Sequence, residues 1–526
     1  MEAQEPDHVS AKLRMRHEED ILDTRVGMPC QIPPDEHTSL LHEWRLLSPK
    51  AKIFAARAAV IASIGGLLFG YDIGVVEGAL PLLRDEMDLR FGQEDMVVAV
   101  MVVGAIAGAA VAGFLADQLG RWLTIVITDL FFVVGGAVLF VAQNPDTVFL
   151  GRFIVGAAVA VSAVADVSYL AEVAPRSLRG AMVSTNELAI SVGMLGAFLA
   201  GHVLRDVEGG WRWMFGLSAV LAILQLVGMA FMPLSPRWLL SQGRRAEAQA
   251  VLFKIRNSQA EVDSELFQME IGNAGAKGSL MELVTKWRTP LIVSTTLAVF
   301  QQLTGHANVL NFAGDIFEMS GFRGAAPAVV LGVVKVVATS LAIVLVDDVG
   351  RRPFLLWGAV GVTASLLALS IGFAARLPPL SFIACGSLVA AYALSFGPIT
   401  WLVTAEMFPA GIRGKALGFG QVGSFAGNLV ASSFFLRLLH RAGGAVTFLL
   451  FAVIVFGSVV FIFLVVPETK DREPARIAAG LRPCRCCPQY DELIDESPAE
   501  DASGEVLRQR AEDNVQLQSS GSDKWL

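Results

Sequence analysis

Residues Ile61 to Leu80 read IASIGGLLFGYDIGVVEGAL, an apolar helix candidate that holds Tyr71, Asp72 and Glu77. A carboxylate in a membrane-spanning segment is costly, and by default it marks a path for ions, protons or substrate. Ending the helix in a wet interface is the other role open to Asp72. Apolar sequence continues past it through Ile73, Val75, Val76 and Leu80, which favours an intramembrane position. Three more ionisable residues interrupt apolar runs: Asp166, Glu187 and Lys335. Amides gather at Gln301, Gln302, Asn308 and Asn311, with Asn428 further on. Such side chains donate and accept hydrogen bonds at once. No nucleophile–base constellation, metal-ligand spacing or phosphate loop appears, so neither enzymatic activity nor a cofactor or metal is expected.

The elements that must position these residues follow from composition. Of 526 residues, 54% are hydrophobic and 17% are charged. A soluble chain would carry roughly a quarter charged residues, so this one is a multi-spanning membrane protein. The net charge of −8 resides mostly in acidic tails and points to no nucleic acid. Residues 1–50 are polar and lack the apolar core of a cleavable signal peptide. Five scattered cysteines make no disulfide framework, and no Asn-x-Ser/Thr sequon occurs.

Apolar segments of roughly 20 residues can cross a hydrocarbon core about 30 Å thick. They fall near 54–80, 93–115, 121–143, 146–170, 181–204 and 211–233. After a polar stretch they resume at 290–319, 325–346, 352–374, 380–405, 415–437 and 443–466. All must be helices, because an open strand edge in lipid leaves backbone groups unpaired. The even-numbered loops hold Arg121, Arg176, Arg179, Arg351, Arg352, Arg413 and Lys415, which predicts cytoplasmic tails and a cytoplasmic central stretch.

The two halves repeat. Asp117 to Arg121 is answered by Asp347 to Arg351 (347 − 117 = 230). Ala171-Glu172, Pro175 and Arg179-Gly180 are answered by Ala405-Glu406, Pro409 and Arg413-Gly414 (405 − 171 = 234). Two homologous six-helix bundles follow, with substrate expected near the midplane between them. The predicted organisation is a tail at 1–53, bundles at 54–234 and 290–466, a linker of short amphipathic helices at 235–289, and a tail at 467–526. Glu36 to Leu41 has acidic-dileucine spacing, and Tyr490 to Leu493 a Tyr-x-x-apolar pattern, both suited to sorting adaptors. Cys484, Cys486 and Cys487 are juxtamembrane and suit palmitoylation.

Over about 54–470 the chain resembles the sugar porters of the major facilitator superfamily. The residues that carry the likeness are Gly66 to Asp72, Gly151-Arg152, Tyr169 to Glu172, Ser235 to Leu239, Gln301 to Gly305, Gly397-Pro398 with Trp401, and Pro467 to Lys470. The variant Gly305-x-x-Asn308-Val309-Leu310 is most similar to the animal facilitator branch that includes proton-linked members.

The resemblance implies alternating-access transport of a monosaccharide with protons. A facilitative sugar or polyol uniporter and a non-transporting sugar sensor are the alternatives. It implies Gln301, Gln302, Asn308, Trp401 and Asn428 as sugar ligands. Asn311 joins them by spacing, since residues 301, 308 and 311 can share one helix face. A sugar needs amides for its hydroxyls and an aromatic plane for its ring, although amides also glue helices together. The resemblance pairs Asp72 with Arg152 of the fourth span: burial favours the neutral carboxyl and a nearby guanidinium the ionised one, so a change of contact can load or release a proton. It also implies that Glu172, Arg179, Glu406, Arg413, Arg121, Arg351 and Arg352 latch the cytoplasmic side.

The chain departs from the family at five places. Glu187 replaces a sugar-binding Gln in the fifth span, where it would accept more strongly from a hydroxyl or carry a second proton. Asp166 precedes Val167, which stands for the usual Pro, and is expected to face cytoplasmic water. Lys335 is expected to snorkel or pair locally. Ala307 occupies the usual seventh-span Asn position, one before Asn308. Asp348, Leu234 and Gln118 weaken the cytoplasmic motifs. The plasma membrane is the expected location, with an endosomal or vacuolar membrane as the alternative.

Overall fold

The structure, a computed structural model, describes residues 48–89, 92–175, 178–256, 258–274, 280–319, 326–470, 472 and 474–481. The sorting patterns and the cysteine cluster lie outside these residues. Among them the regular structure is all helix.

Six long helices come first: α1 (Pro49–Met87), α2 (Gln93–Leu119), α3 (Arg121–Phe140), α4 (Pro145–Val173), α5 (Arg179–Val203) and α6 (Gly210–Met229). Their starts are written in the sequence. Ser48 caps α1 ahead of Pro49, and Asn144 caps α4 ahead of Pro145, its Oδ1 accepting from the Thr147 N–H at 2.9 Å. A polar cap followed by Pro satisfies one free amide and fixes the first helical φ.

Four short helices form the linker: α7 (Pro236–Ser241), α8 (Arg245–Ile255), α9 (Gln259–Ala274) and α10 (Leu280–Thr285). The second bundle contains α11 (Arg288–Leu303), α12 (His306–Asn311), α13 (Ala313–Met319), α14 (Ala326–Val349), α15 (Arg351–Ala374), α16 (Pro378–Leu394), α17 (Phe396–Glu406) and α18 (Ala410–Leu464). A short α19 (Pro474–Gly480) follows. Apolar side chains such as Phe114, Val134, Trp357 and Phe456 are exposed on the outer faces, where lipid replaces water.

Among the described residues, ten of the twelve expected spans are long and apolar enough to cross a membrane by length and composition. The seventh and eleventh are not, and these two carry the amides. The seventh was expected as one helix over 290–319, with Gln301, Asn308 and Asn311 on a common face. It is instead broken into α11, α12 and α13. Gly305 makes the first break with φ +73°, a left-handed conformation that a side chain resists. A Cβ there would also meet the Phe451 ring at 2.9 Å. The tenth span breaks at Ser395, between α16 and α17. The eleventh and twelfth run on through α18, interrupted by Gly443 at φ +81°.

Within the first bundle α1 lies on α5 so closely that a Cβ on Gly70 or Gly193 would strike backbone of the other helix. Between the bundles, α2 packs on α18, α5 on α14, and α1 on α12. The linker is clamped to the first bundle by Arg256. Its guanidinium pairs with Glu265 and donates to the carbonyls of Val173 and Ala174 at the end of α4.

Candidate functional site

The interface between the bundles encloses a cavity of about 40 Å³ lined by residues of α1, α2, α4, α12 and α18. Arg152, Ala307, Asn311 and Asn428 are its polar or seventh-span contributors, with Ile73, Met101 and Phe425 among the apolar ones. That space admits a few waters, whereas ligand pockets usually measure about 300 Å³ or more, so the interface is drawn together around this point. A larger depression of about 450 Å³ at Glu86, Arg212 and Trp213 is open on the surface and remote from these groups.

Asp72 is fully buried, and neither carboxylate oxygen has a hydrogen-bond partner among the described residues. Arg152, 1% exposed, donates from Nη1 to the Asp72 backbone carbonyl at 3.2 Å and from Nε to the Val97 carbonyl at 3.3 Å. Its guanidinium also lies 5.5 Å from the Phe215 ring centroid, within cation–π range. The two residues are therefore neighbours, with the guanidinium on the backbone rather than on the carboxylate.

The amides divide into two groups. Gln302 and Asn428 bond each other directly, and the Ser432 hydroxyl links Asn428 to Asn308. Asn428 Nδ2 donates to Gln302 Oε1 at 2.9 Å, Gln302 Nε2 to Ser424 Oγ at 2.9 Å, and Ser432 Oγ to Asn308 Oδ1 at 2.8 Å. Gln301 and Asn311 keep free capacity. Gln301 Nε2 donates to the Phe396 carbonyl at 2.8 Å, while Gln301 Oε1 and Asn311 Oδ1 are buried without hydrogen-bond partners among the described residues. Trp401 is half-buried and packs beside Gly420.

Glu187 is half-buried, with its carboxylate beside Gly397 of α17. Lys335 is buried and its Nζ reaches Met194 Sδ at 3.5 Å, so it does not snorkel to the surface. Asp166 does not face water: at 1% exposure it accepts from Ser162 Oγ and from Gln225 Nε2, the latter at 3.2 Å. The expectation failed because α1 passes over it at Gly65, where a Cβ would strike its carboxylate.

On the linker side the repeat is visible in atoms. Glu172 pairs with Arg121 at 3.1 Å and accepts from Ser235. Glu406 pairs with Arg351 at 3.2 Å and accepts from Thr469. Both steps are 234 residues (406 − 172 = 234; 469 − 235 = 234). None of the described bonds of Glu172 or Glu406 reaches the other bundle. Arg413 donates to the Phe408 carbonyl at 3.3 Å and lies in the field of Arg237 and Arg179. Arg352 donates to the Phe463 carbonyl. On the opposite side Arg437 of α18 pairs with Asp95 of α2 at 3.0 Å, tying the bundles together there.

His306 and Tyr392 join the site without having stood out among the candidate residues. Their rings stack at 3.7 Å, and His306 Nε2 has no hydrogen-bond partner among the described residues. A His and a Tyr inside apolar spans were a usable signal, by the same rule that picked out Asp72.

Two six-helix bundles with a largely apolar cavity that holds Arg152, Asn311 and Asn428, and broken helices at their interface, define a transporter of the major facilitator fold. The model of the sugar (and other) transporter family matches residues 58–479, and the chain belongs to that family. It is 36% identical over 433 residues to the glucose transporter GlcP of Staphylococcus epidermidis, covering 80% of this chain and 96% of that protein. It is 33% identical over 426 residues to the galactose-proton symporter of Escherichia coli K12, covering 78% of this chain and 90% of that one. Among solved structures, the proton:xylose symporter XylE bound to 6-bromo-6-deoxy-D-glucose matches at 25% identity and a TM-score of 0.71, over 82% of this chain and 99% of that chain. The inward-open form of XylE from E. coli matches with a TM-score of 0.72.

Proposed function

We propose that the chain carries a monosaccharide across a membrane together with protons, by exposing the bundle interface to each side in turn. One observation carries this reading: Arg152, which touches Asp72, lines the same cavity as Asn311 and Asn428. A titratable group and sugar-suited amides share one space, so occupancy by sugar and by proton act on each other. The glucose, galactose–proton and xylose relatives support the substrate class. The seventh-span likeness to the animal branch with proton-linked members supports the coupling.

In this reading Gln301, Gln302, Asn308, Asn311, Trp401, Asn428 and Glu187 are the sugar ligands. Asp72 and Arg152 couple the proton. Glu172, Arg179, Glu406, Arg413, Arg121, Arg351 and Arg352 form the cytoplasmic gate. The bundles span 54–234 and 290–466 around a linker at 235–289, with cytoplasmic tails at 1–53 and 467–526. The tails meet sorting adaptors, and the protein resides in the plasma membrane.

Reconstitution into proteoliposomes with a monosaccharide panel, with and without a proton gradient, tests the function. Gradient-driven accumulation is expected. Equilibration alone would make the chain a uniporter, and binding without flux a sensor.

A further inference from the structure

Glu187 of α5 and Lys335 of α14 face one another across the seam between the bundles. One turn beyond each, Ser191 Oγ and Thr339 Oγ1 are hydrogen-bonded at 2.9 Å, which fixes the register of the two helices. The Lys335 ammonium has three donors, and its described partner is a thioether sulfur at 3.5 Å. A buried cation is retained when an anion accompanies it. The anion acting on Lys335 is Glu187, although no ion pair within 4.0 Å joins them.

Among the described residues the Glu187 carboxylate accepts no hydrogen bond, so its lone pairs are available. They lie beside Gly397, the residue whose carbonyl Gln301 also approaches. Glu187 Oε1 lies 3.5 Å from where a Cβ on Gly397 would sit, and Gln301 Nε2 is 3.5 Å from the Gly397 carbonyl. Tyr392 closes the same corner, with His306 stacked on it.

We propose that Glu187, with Lys335 as its counter-ion, is an acceptor-only subsite that selects sugars presenting two adjacent hydroxyl donors to it. The proposal rests on the sugar-transport reading above. An amide at this position would donate as readily as accept and would tolerate a substituent that only accepts. A carboxylate with a fixed counter-ion accepts only. Two hydroxyls of a vicinal diol can each donate to one of its oxygens, in charge-assisted bonds about twice as strong as neutral ones. Replacing either hydroxyl by fluorine keeps the size, removes the donor and sets fluorine against carboxylate oxygen. Lys335 is a positioning residue: it holds the charge of Glu187 and does not itself touch sugar.

The test is displacement of a bound parent sugar from the purified full-length protein by analogues in which each hydroxyl in turn is replaced by fluorine. Binding is read directly, so a variant that binds without translocating still reports. The wild type should lose roughly 10- to 100-fold in affinity at two adjacent positions. Glu187→Gln should bind the parent more weakly and flatten the penalty at those two positions alone. Lys335→Met should flatten the same two positions, while Glu187→Asp and Lys335→Arg, which keep the charges, should retain the wild-type profile. A flat wild-type profile would overturn the proposal and leave sugar transport standing. So would a profile that Glu187→Gln and Lys335→Met leave unchanged or shift equally at every position.

Discussion

Arg152 Nη1 donates to the backbone carbonyl of Asp72 at 3.2 Å, while the Asp72 carboxylate has no hydrogen bond among the described residues. A guanidinium that already sits on the same residue needs only a small side-chain movement to reach the carboxylate. Arginine remains charged throughout, so the proton resides on Asp72 and the contact is what changes. The arrangement accompanies bundles joined at Asp95–Arg437 and separate charge networks at Glu172 and Glu406.

The amides make a graded prediction. Gln301 and Asn311 have unpaired oxygens ready for a sugar hydroxyl, whereas Ser432 bonds other amides. Gln301→Ala and Asn311→Ala should each raise the KM for transport about tenfold, the value of one hydrogen bond at a buried site. Ser432→Ala should lower thermal stability more than it changes KM. Uptake kinetics and melting of the three purified variants check this ordering.

The linker clamp predicts stability. Arg256 and Glu265 are both almost wholly buried and paired, with the guanidinium also on the end of α4. Removing one partner strands the other charge, at a cost of about 3–5 kcal/mol. Arg256→Met should therefore melt well below the wild type, and Arg256→Met with Glu265→Met should recover part of the loss. A thermal-melting series in detergent reads both.

Glu468 predicts a pH effect outside the spans. It accepts from the Arg351 and Arg352 N–H groups, each at 3.1 Å, at the start of α15. Partial burial pushes its carboxyl up, and backbone N–H groups from Lys470, Arg351, Arg352 and Thr469 outweigh that, holding it below the usual carboxylate range. A depressed folded value means that the stabilisation is present above the unfolded value of about 4.3. It is lost as pH falls through the folded value. Glu468→Gln should thus melt lower than wild type at pH 7, by the roughly 1 kcal/mol of a helix cap, and the gap should close in acid. The first bundle has Leu234 at the matching place (468 − 234 = 234), so Leu234→Ala should show no such pH dependence.

Much of the architecture was legible because its physical cause is local. Apolar run length marked the spans, and the repeats of Asp117–Arg121 in Asp347–Arg351 and of Glu172 in Glu406 marked two bundles. Asp72 stood out because a charge in an apolar run is costly. The break at Gly305 was not legible, since a glycine inside a helical pattern can be tolerated at a cost of about 1 kcal/mol. Asp166 was misread because its burial comes from α1 crossing at Gly65, a tertiary approach that spacing does not encode. The His306–Tyr392 stack and the Arg256 clamp have the same origin, joining residues of separate helices whose meeting is set by packing.

The most direct test of proton coupling at Asp72 compares wild type and Asp72→Asn in proteoliposomes, measuring sugar accumulation under an imposed proton gradient alongside sugar exchange at equal pH. The account predicts that the variant loses accumulation and keeps exchange. Accumulation against a gradient by Asp72→Asn would contradict it.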